Sequence, residues 1–316
     1  MRRRRADMQT GPSVVVIGSY LVALVMEVDR LPRAGETLIG RNFLQTDGGK
    51  GSNMAVQAAR LGASTQFVGC VGDDDFGRSF EQLMEREGVG TAHLKRRREA
   101  RTGAGFIVLG SAGENFITID IGANSLFSPS DVDEAANIMR PPSVVLAQLE
   151  IPLPTALHAM KRGAEHGCAT ILNPAPAHDL RGHDLTAVSF LTPNETEARV
   201  CLGLQPDEPA DDRELGEKLL LLGCGCVVIT QGERGCLLVT PDGAVQIPAF
   251  PVAAVVDTTG AGDSFNAGLA VGLSEGMPLE EAARFANAAA GLSCTQLDTV
   301  PSFPVRERVE AIIGRR

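Results

Sequence analysis

Short apolar runs alternate with stretches of helical spacing along most of the chain. The runs are rich in valine, isoleucine and leucine, and the clearest lie at 14–17, 66–71, 144–149, 170–172, 190–191 and 227–230. Short apolar runs between turn signals are typical of buried strands, and most of the intervening segments repeat apolar residues at helical spacing. Repeated strand–helix units predict an α/β fold whose mainly parallel sheet is covered on both faces.

Two segments do not follow this alternation. Residues near 20–46 and 100–121 contain apolar runs broken by glycine and proline, and a turn signal at 111–113 predicts a hairpin. We expect these segments to form a small accessory sheet, inserted as a lid in one domain that spans residues 13–316. The basic residues 1–12 are expected to be a disordered tail.

Composition and charge disfavour several classes of function. The 316 residues include 29 basic and 39 acidic side chains, a formal net charge of −10, which disfavours binding to nucleic acid or to an anionic membrane. With no tryptophan and one tyrosine the chain lacks a platform for stacking bases, and it has no apolar run long enough to cross a membrane. The seven cysteines are odd in number and form no CxxC pair, so free thiols and a cytoplasmic location are expected.

A glycine-rich segment, DTTGAGDSFNAG at 257–268, carries the clearest chemical signal. Residues 252–256 are strand-like and helical spacing follows, so the glycines lie at a strand-to-helix turn whose N–H groups can converge on an anion. Asp263 lies at the mouth of this anion site, where it could accept a proton from an attacking hydroxyl group. Taken alone, Asp263 is better explained as a helix N-cap, but its clustering with the motifs below favours the catalytic base.

Three further motifs could hold small polar ligands. GGKGSN at 48–53 places glycines before a helix, with Lys50 and Asn53 able to hydrogen-bond hydroxyl groups, although a structural turn is the simpler explanation of the motif alone. Asn194 and Glu197 share a helix face, so Glu197 could hold magnesium through water or could simply suit the first turn of a helix. TQGERG at 230–235 puts two glycines just beyond an apolar strand, where ligands of open α/β sheets bind.

Together these motifs resemble the ribokinase branch of the phosphofructokinase-B sugar-kinase family. The resemblance extends from about residue 14 to about residue 304, and it rests on GGKGSN, QLE at 148–150, NPAPA at 173–177, TPNETEA at 192–198, TQGERG and DTTGAGDSFNAG. It implies a three-layer α/β sandwich with a small β-sheet lid. It also implies an ATP-dependent kinase that phosphorylates a primary hydroxyl of a sugar, typically D-ribose, with Mg²⁺ and a monovalent cation such as K⁺. A homodimer through the lid is expected as well, because an exposed apolar sheet face favours pairing with a second subunit.

The resemblance assigns roles to individual residues. Asp263 matches the catalytic base, and the anion hole matches Gly260, Ala261 and Gly262. The sugar-binding positions are Gly49, Lys50, Gly51, Asn53 and Glu150, together with Asp263. The nucleotide-binding positions are Asn194, Thr230, Gly232, Gly235, Gly262 and Asn287, and Glu197 matches a glutamate associated with magnesium. The monovalent-cation positions are Asp257, Thr259, Ser293, Gln296, Asp298 and Ser302, partly through backbone carbonyls.

Two departures from the family pattern bear on the substrate and the cation. Family members that bind ribose usually carry an asparagine and an aspartate after the Gly-Ser of the first strand, where this chain has Leu21 and Ala23. The loop at 296–299 lacks a glycine that ribokinases often have there. A nucleoside or a modified sugar is therefore the alternative acceptor. A catalytically idle sugar-binding protein is disfavoured, because Asp263 and the Gly-Ala-Gly turn before it are retained.

Overall fold

The computed structural model describes residues 13–111 and 114–314. The expected tail at 1–12 and two residues of the predicted turn at 111–113 lie outside the described residues. The strands are β1 Ser13–Ile17, β2 Leu21–Val28, β3 Arg41–Gly48, β4 Ser64–Gly72, β5 Gly90–Arg97, β6 Gly103–Gly110, β7 Asn115–Asp120, β8 Val144–Gln148, β9 Ala169–Asn173, β10 Phe190–Leu191, β11 Cys226–Thr230, β12 Cys236–Thr240 and β13 Gly243–Ile247. The helices are α1 Lys50–Arg60, α2 Asp75–Arg86, α3 Pro129–Ala135, α4 Leu153–Glu165, α5 Glu195–Cys201, α6 Asp212–Leu220, α7 Ala261–Ser274, α8 Leu279–Ser293 and α9 Arg306–Ile313.

The main sheet is built from the short apolar runs. Within the described residues it contains nine strands in the order β13-β12-β11-β10-β9-β8-β1-β4-β5. All neighbours from β11 to β5 pair in parallel, and β12 and β13 add an antiparallel edge. Strands that are buried on both faces read as continuous apolar runs, which is why such runs located them in the sequence.

Alternate residues of β1 show the two faces of the sheet. Val14 and Val16 pack into a core formed with helices α1, α2, α7, α8 and α9. Val15 and Ile17 pack into a second core on the opposite face, formed with α3, α4, α5 and α6. Helices on both faces of one sheet make three layers, so the predicted fold class is confirmed.

A second, smaller sheet contains the two segments that broke the alternation. Its order is β3-β2-β6-β7, with β2–β3 and β6–β7 antiparallel and β2–β6 parallel. Strand β2 leaves β1 after a three-residue link, and β3 runs directly into α1. The chain therefore enters β2 and leaves β3 at the carboxyl edge of the main sheet.

The approach to the glycine-rich turn differs from the sequence-based expectation. Residues 252–256 are not a strand, and the whole segment from 248 to 258 is irregular. Pro248 and Pro251 interrupt it, and proline has no N–H to donate to a sheet. The segment is instead attached to the end of α8, where Val256 N–H donates to the Cys294 carbonyl at 2.8 Å.

Two further observations concern expectations from composition. In the part of the chain that the structure describes, no helix is long and apolar enough to span a membrane. All seven cysteines lie within the described residues, and none forms a disulfide.

Candidate active site

A polar cavity of about 180 Å³ lies at the carboxyl edge of the main sheet. Strands β9 and β11 contribute their last residues, Asn173 and Thr230, and Thr192 follows β10 directly. The rest of the lining comes from the starts of α1, α5 and α7: Lys50, Asn194, Glu197, Thr258, Gly260, Gly262, Asp263 and Asn266, with Ala175 after β9. Open α/β sheets bind ligands at this edge.

The turn before α7 has the geometry of an anion site. Gly260 caps the helix with φ of 77°, a left-handed conformation in which glycine is free of strain. A Cβ on Gly262 would meet no atom within 4 Å, so its backbone faces open space in the cavity. The first N–H groups of a helix have no partner inside it, but Ala261 N–H already donates to the Thr258 carbonyl at 3.1 Å. Of the predicted anion-hole residues, Gly260 and Gly262 therefore line the cavity and Ala261 closes the turn.

Asp263 lies in the first turn of α7 and is 5% exposed. Gly260 is the N-cap, so the interpretation of Asp263 as a helix cap is wrong. Its Oδ2 instead accepts a hydrogen bond of 2.8 Å from Asn53 Nδ2. Burial raises the pKa of Asp263 to about 6, against the lowering effect of the Lys50 charge and the Asn53 amide. A buried carboxyl with a pKa near neutrality suits a general base.

The predicted sugar-binding loop forms the start of α1. Gly49 is the N-cap with φ of 89°, and Lys50 N–H donates to Glu150 Oε2 at 2.8 Å. Ser19 Oγ donates to the same oxygen at 2.5 Å, so Glu150 joins β1, α1 and the end of β8. The charge of Asp263 raises the pKa of Lys50 more than burial lowers it, so the ammonium persists in the cavity.

Asn53 carries an unused acceptor in this region. Its amide nitrogen is bonded to Asp263, while Asn53 Oδ1 is buried with no hydrogen-bond partner among the described residues. Buried polar atoms are normally satisfied, so an orphan acceptor beside Asp263 points to a ligand that donates from a hydroxyl group.

Gly51 allows a close backbone contact and contributes no side chain to the site. A Cβ on Gly51 would lie 2.4 Å from Ser19 N and 2.8 Å from Gly18 Cα. The backbones of β1's end and α1's first turn therefore touch, and this contact holds the 48–53 loop against the sheet. Sequence reasoning did not find the Gly18–Gly51 contact, because nothing in either segment indicates its partner.

Asn194 and Glu197 form a capping box at the start of α5. Asn194 Oδ1 accepts from Glu197 N–H at 2.8 Å, and Glu197 Oε2 accepts from Asn194 N–H at 2.9 Å. Both residues also line the cavity. Burial raises the pKa of Glu197 despite these contacts and the Lys50 charge. The structure confirms that Glu197 caps the first turn of a helix and also places it at the cavity wall.

Three other predicted nucleotide-binding residues shape backbone beside the cavity without lining it. Gly235 has φ of 90°, and a Cβ there would lie 2.2 Å from the Ile247 carbonyl. Asn287 Nδ2 donates to the carbonyls of Ile247 and Pro248 at 3.2 and 3.3 Å. Gly232 has φ of 54° and nothing within 4 Å of its Cβ position, so it leaves open space at the rim.

The predicted monovalent-cation residues are brought together only in part. Asp257 Oδ1 accepts from Thr259 N–H and Oγ1, and Asp257 Oδ2 accepts from Asp298 N–H at 3.0 Å. Ser293 and Ser302 donate their hydroxyls to the Ala290 and Thr299 carbonyls in their own turns. Gln296 is exposed. Within the described ranges, no three His, Cys, Asp or Glu residues form a metal-binding group.

Five cavity residues lie within the quoted motifs but were given no site role from the sequence: Asn173, Ala175, Thr192, Thr258 and Asn266. Hydrogen bonds join three of them, since Asn173 Nδ2 donates to the Thr192 carbonyl at 2.8 Å and Thr192 Oγ1 donates to Asn266 Oδ1 at 2.6 Å. Asn266 Nδ2 donates in turn to the Gly262 carbonyl at 2.9 Å. The available signal was their place in the quoted motifs, and for Asn173 and Thr192 also their position at the end of an apolar strand or directly after one.

This geometry can be compared with known proteins. The profile of the pfkB family carbohydrate kinases matches residues 12–306. The chain belongs to this family. A ribokinase of Bacillus subtilis (strain 168) is 38% identical over 302 residues, which cover 96% of this chain and 99% of the relative. A deoxyribokinase of Salmonella typhi is 36% identical over 298 residues, which cover 93% and 96%.

Solved structures of this carbohydrate-kinase family have the same fold. The structure of Arabidopsis thaliana ribokinase complexed with ribose and ATP aligns with a TM-score of 0.85 at 32% identity, covering 96% of this chain and 99% of that chain. The ribokinase of Thermotoga maritima also aligns with a TM-score of 0.85, at 35% identity. The protein is therefore a ribokinase-like carbohydrate kinase, a phosphotransferase, as its motifs indicate.

Proposed function

We propose that this kinase transfers the γ-phosphoryl group of ATP to a primary hydroxyl group of a pentose, with Asp263 as the base. The supporting observation is the buried Asp263 carboxylate between the 48–53 loop and the glycine turn, bonded to Asn53 and with a pKa raised to about 6 by burial. Asp263 accepts the proton as the acceptor oxygen attacks the phosphorus in line.

The nucleotide phosphates occupy the cavity. The N–H groups that open α7, with Gly260 and Gly262 at the cavity wall, stabilise the charge of the transferred group. Lys50 adds a cation opposite them. Asn194 and Thr230 at the cavity wall, with the 232–235 turn that follows Thr230, hold the rest of the nucleotide, and Asn287 fixes the backbone at Ile247 and Pro248.

Glu197 is the residue that fits a magnesium ion. Its Oε2 is bonded to Asn194 N–H, while Oε1 has no hydrogen bond among the described residues and can accept from a metal-bound water. Mg²⁺ prefers oxygen ligands, and when bound it neutralises phosphate charge. For a monovalent cation such as K⁺ we propose Asp257 with backbone carbonyls of the 293–302 segment, and we assign it no step.

The acceptor lies under the small sheet. Relatives named ribokinase and deoxyribokinase support a pentose, and D-ribose, which would become ribose 5-phosphate, is the first candidate. The unpartnered Asn53 Oδ1 and the carboxylate of Glu150 offer acceptors for its hydroxyl groups. The small sheet acts as a lid that excludes water from the site, which limits hydrolysis of ATP.

One observation favours a second candidate, a nucleoside or a modified sugar. Leu21 and Ala23 share one face of β2, and their neighbours across the sheet are Gly48 and Thr46 on β3, and Gly103 and Gly105 on β6. The only hydrogen-bonding side chain among these is Thr46, whose hydroxyl already donates to Asp298. This wall offers no free side-chain donor to sugar hydroxyls, so its apolar surface suits an apolar substituent.

A substrate panel tests both candidates. ADP release is measured with D-ribose, 2-deoxy-D-ribose and adenosine, and Asp263→Asn serves as the inactive control. The first candidate requires that kcat/KM is highest for ribose, while the second requires that adenosine or deoxyribose exceeds it. The double variant Leu21→Asn/Ala23→Asp should increase kcat/KM for ribose about tenfold or more, because each added polar group can bond a hydroxyl. If no substrate releases ADP, the proposed function is wrong.

We also propose that two copies associate through the lid. Phe43, Phe106 and Phe116 on one face of the small sheet are each more than 50% exposed, and an apolar cavity lies between this sheet and residues 32–40. Exposed apolar surface of this kind favours burial against a partner. Light scattering should give a dimer for the native chain and a monomer for Phe106→Glu, with Val245→Ser on β13 as the control that stays dimeric.

A further inference from the structure

Asp298 has an unusual backbone conformation. Its φ is 72°, in the left-handed region that residues other than glycine rarely adopt. The described residues contain one other such case, Asn42, at the exposed start of β3. Asp298 is partly buried in the segment between α8 and α9, beside the glycine turn.

The side chain of Asp298 joins two distant parts of the chain. Its Oδ2 accepts from Thr46 Oγ1 on β3 at 2.7 Å, and its Oδ1 accepts from Thr299 N–H at 2.7 Å. Thr299 Oγ1 adds a weaker bond of 3.4 Å to the Asp47 carbonyl. Among the hydrogen bonds of the described residues, these are the links between β3 and the segment 257–302. The left-handed residue thus bonds to the small sheet through its side chain.

The backbone of Asp298 continues this path to the anion site. Its N–H donates to Asp257 Oδ2 at 3.0 Å, and Asp257 Oδ1 holds Thr259 N–H at 2.9 Å. The next residue, Gly260, caps α7, and its Cβ position lies 3.0 Å from Thr299 Cγ2. The small sheet and the glycine turn are thus two to three contacts apart.

We propose that Asp298 is a positioning residue that couples the small sheet to the anion site. The bond from Thr46 to the Asp298 carboxylate fixes the 298–299 backbone against Asp257 and Gly260. The position of the small sheet over the acceptor and the position of the phosphate-binding turn are therefore set together. This inference rests on the proposed function, because it assigns the acceptor to the space beneath the small sheet.

The kinetic test uses four variants. Asp298→Gly removes the carboxylate but tolerates the left-handed backbone, and Thr46→Val removes the hydroxyl with little change of shape. Each should raise the KM for the acceptor about tenfold, with the KM for ATP unchanged, because the bond to a charged group that holds the small sheet over the acceptor is lost. The acceptor KM of the double variant should be no higher than that of either single variant, because the two substitutions remove the same hydrogen bond. Thr46→Ser should behave as the native protein.

Hydrogen exchange gives a readout that does not depend on catalysis. In the ligand-free protein, Asp298→Gly and Thr46→Val should both speed amide exchange in 41–48 and in 257–262, while Thr46→Ser should not. Native acceptor KM values in both variants, additive losses in the double variant, or faster exchange in one segment alone would each overturn the coupling. Faster exchange in both segments of a protein that phosphorylates no sugar would retain the coupling and refute the proposed function.

Discussion

Replacing Asp263 by asparagine should inactivate the enzyme and stabilise its fold. The folded-state pKa of Asp263 is about 6, against 3.8 for an ordinary aspartate. Ionising it in the folded protein therefore costs about 3 kcal/mol, at about 1.36 kcal/mol per pH unit. The neutral asparagine avoids this cost, and for 316 residues a gain of that size raises Tm by about 4–5 °C.

The sign of the pH dependence follows from the raised pKa. A carboxyl with a raised folded-state pKa favours the fold below its unfolded pKa, and this contribution is lost as pH rises through about 6. The gain in Tm of Asp263→Asn should therefore be full at pH 7.5 and absent near pH 4. In the native enzyme, kcat/KM should fall as pH drops below about 6, because the base becomes protonated.

The assay pairs thermal melts at several pH values with ADP release. Turnover of Asp263→Asn should fall about a hundredfold or more. Asp131→Asn is the matched control: burial alone would raise the pKa of Asp131, but hydrogen bonds from Ser128 and the Arg97 guanidinium outweigh burial and lower it. That variant should lose stability at pH 7.5, lose less near pH 4, and keep its turnover. Native turnover in Asp263→Asn would refute the assignment of Asp263 as the catalytic base. An unchanged Tm at pH 7.5 would refute the claim that the buried charge destabilises the folded protein.

Three further substitutions test the walls of the site. Gly262→Ala puts a methyl group into the open cavity and should raise the KM for ATP about tenfold without lowering Tm; an unchanged KM would place the phosphates elsewhere. Gly51→Ala puts a Cβ 2.4 Å from Ser19 N and should lower the free energy of unfolding by about 3 kcal/mol in urea titrations, whereas native stability would mean that α1 shifts freely. Lys50→Met removes the charge that lowers the pKa of Asp263, so the midpoint of the pH profile of kcat/KM should move above pH 6. An unchanged midpoint would mean that the Lys50 charge does not affect the ionisation of Asp263.

The sequence was sufficient for the layers of the fold, because the signals there are local. Val14 to Ile17 form an apolar run that is typical of a doubly buried strand, and such runs recur between helical segments. The small sheet was found as a break in that rhythm. The predicted strand at 252–256 was wrong. Its valines favour a strand, but Pro248 and Pro251 just before it have no backbone N–H to donate to a sheet.

The site was predictable where a motif carries its own chemistry. Glycines before a helix indicate an anion site, and Asp263 follows them in the chain. The atomic contacts between distant segments were not predictable from the residues alone, because no periodicity links their positions, although the family resemblance put Asn53 and Asp263 in one sugar site. Gly18 against Gly51, Asn53 with Asp263 and Thr46 with Asp298 each depend on how the strands are ordered in the sheet.

The hydrogen bonds of the Glu150 carboxylate affect how the enzyme loses activity on heating. One of its oxygens holds Ser19 and the first N–H of α1, so segments 131 and 100 residues away in sequence meet on a single atom. Fraying at any of these three places would release the acceptor loop before the bulk of the core opens. Loss of catalysis on heating should therefore precede loss of helical circular dichroism, and bound substrate should bring the two closer together.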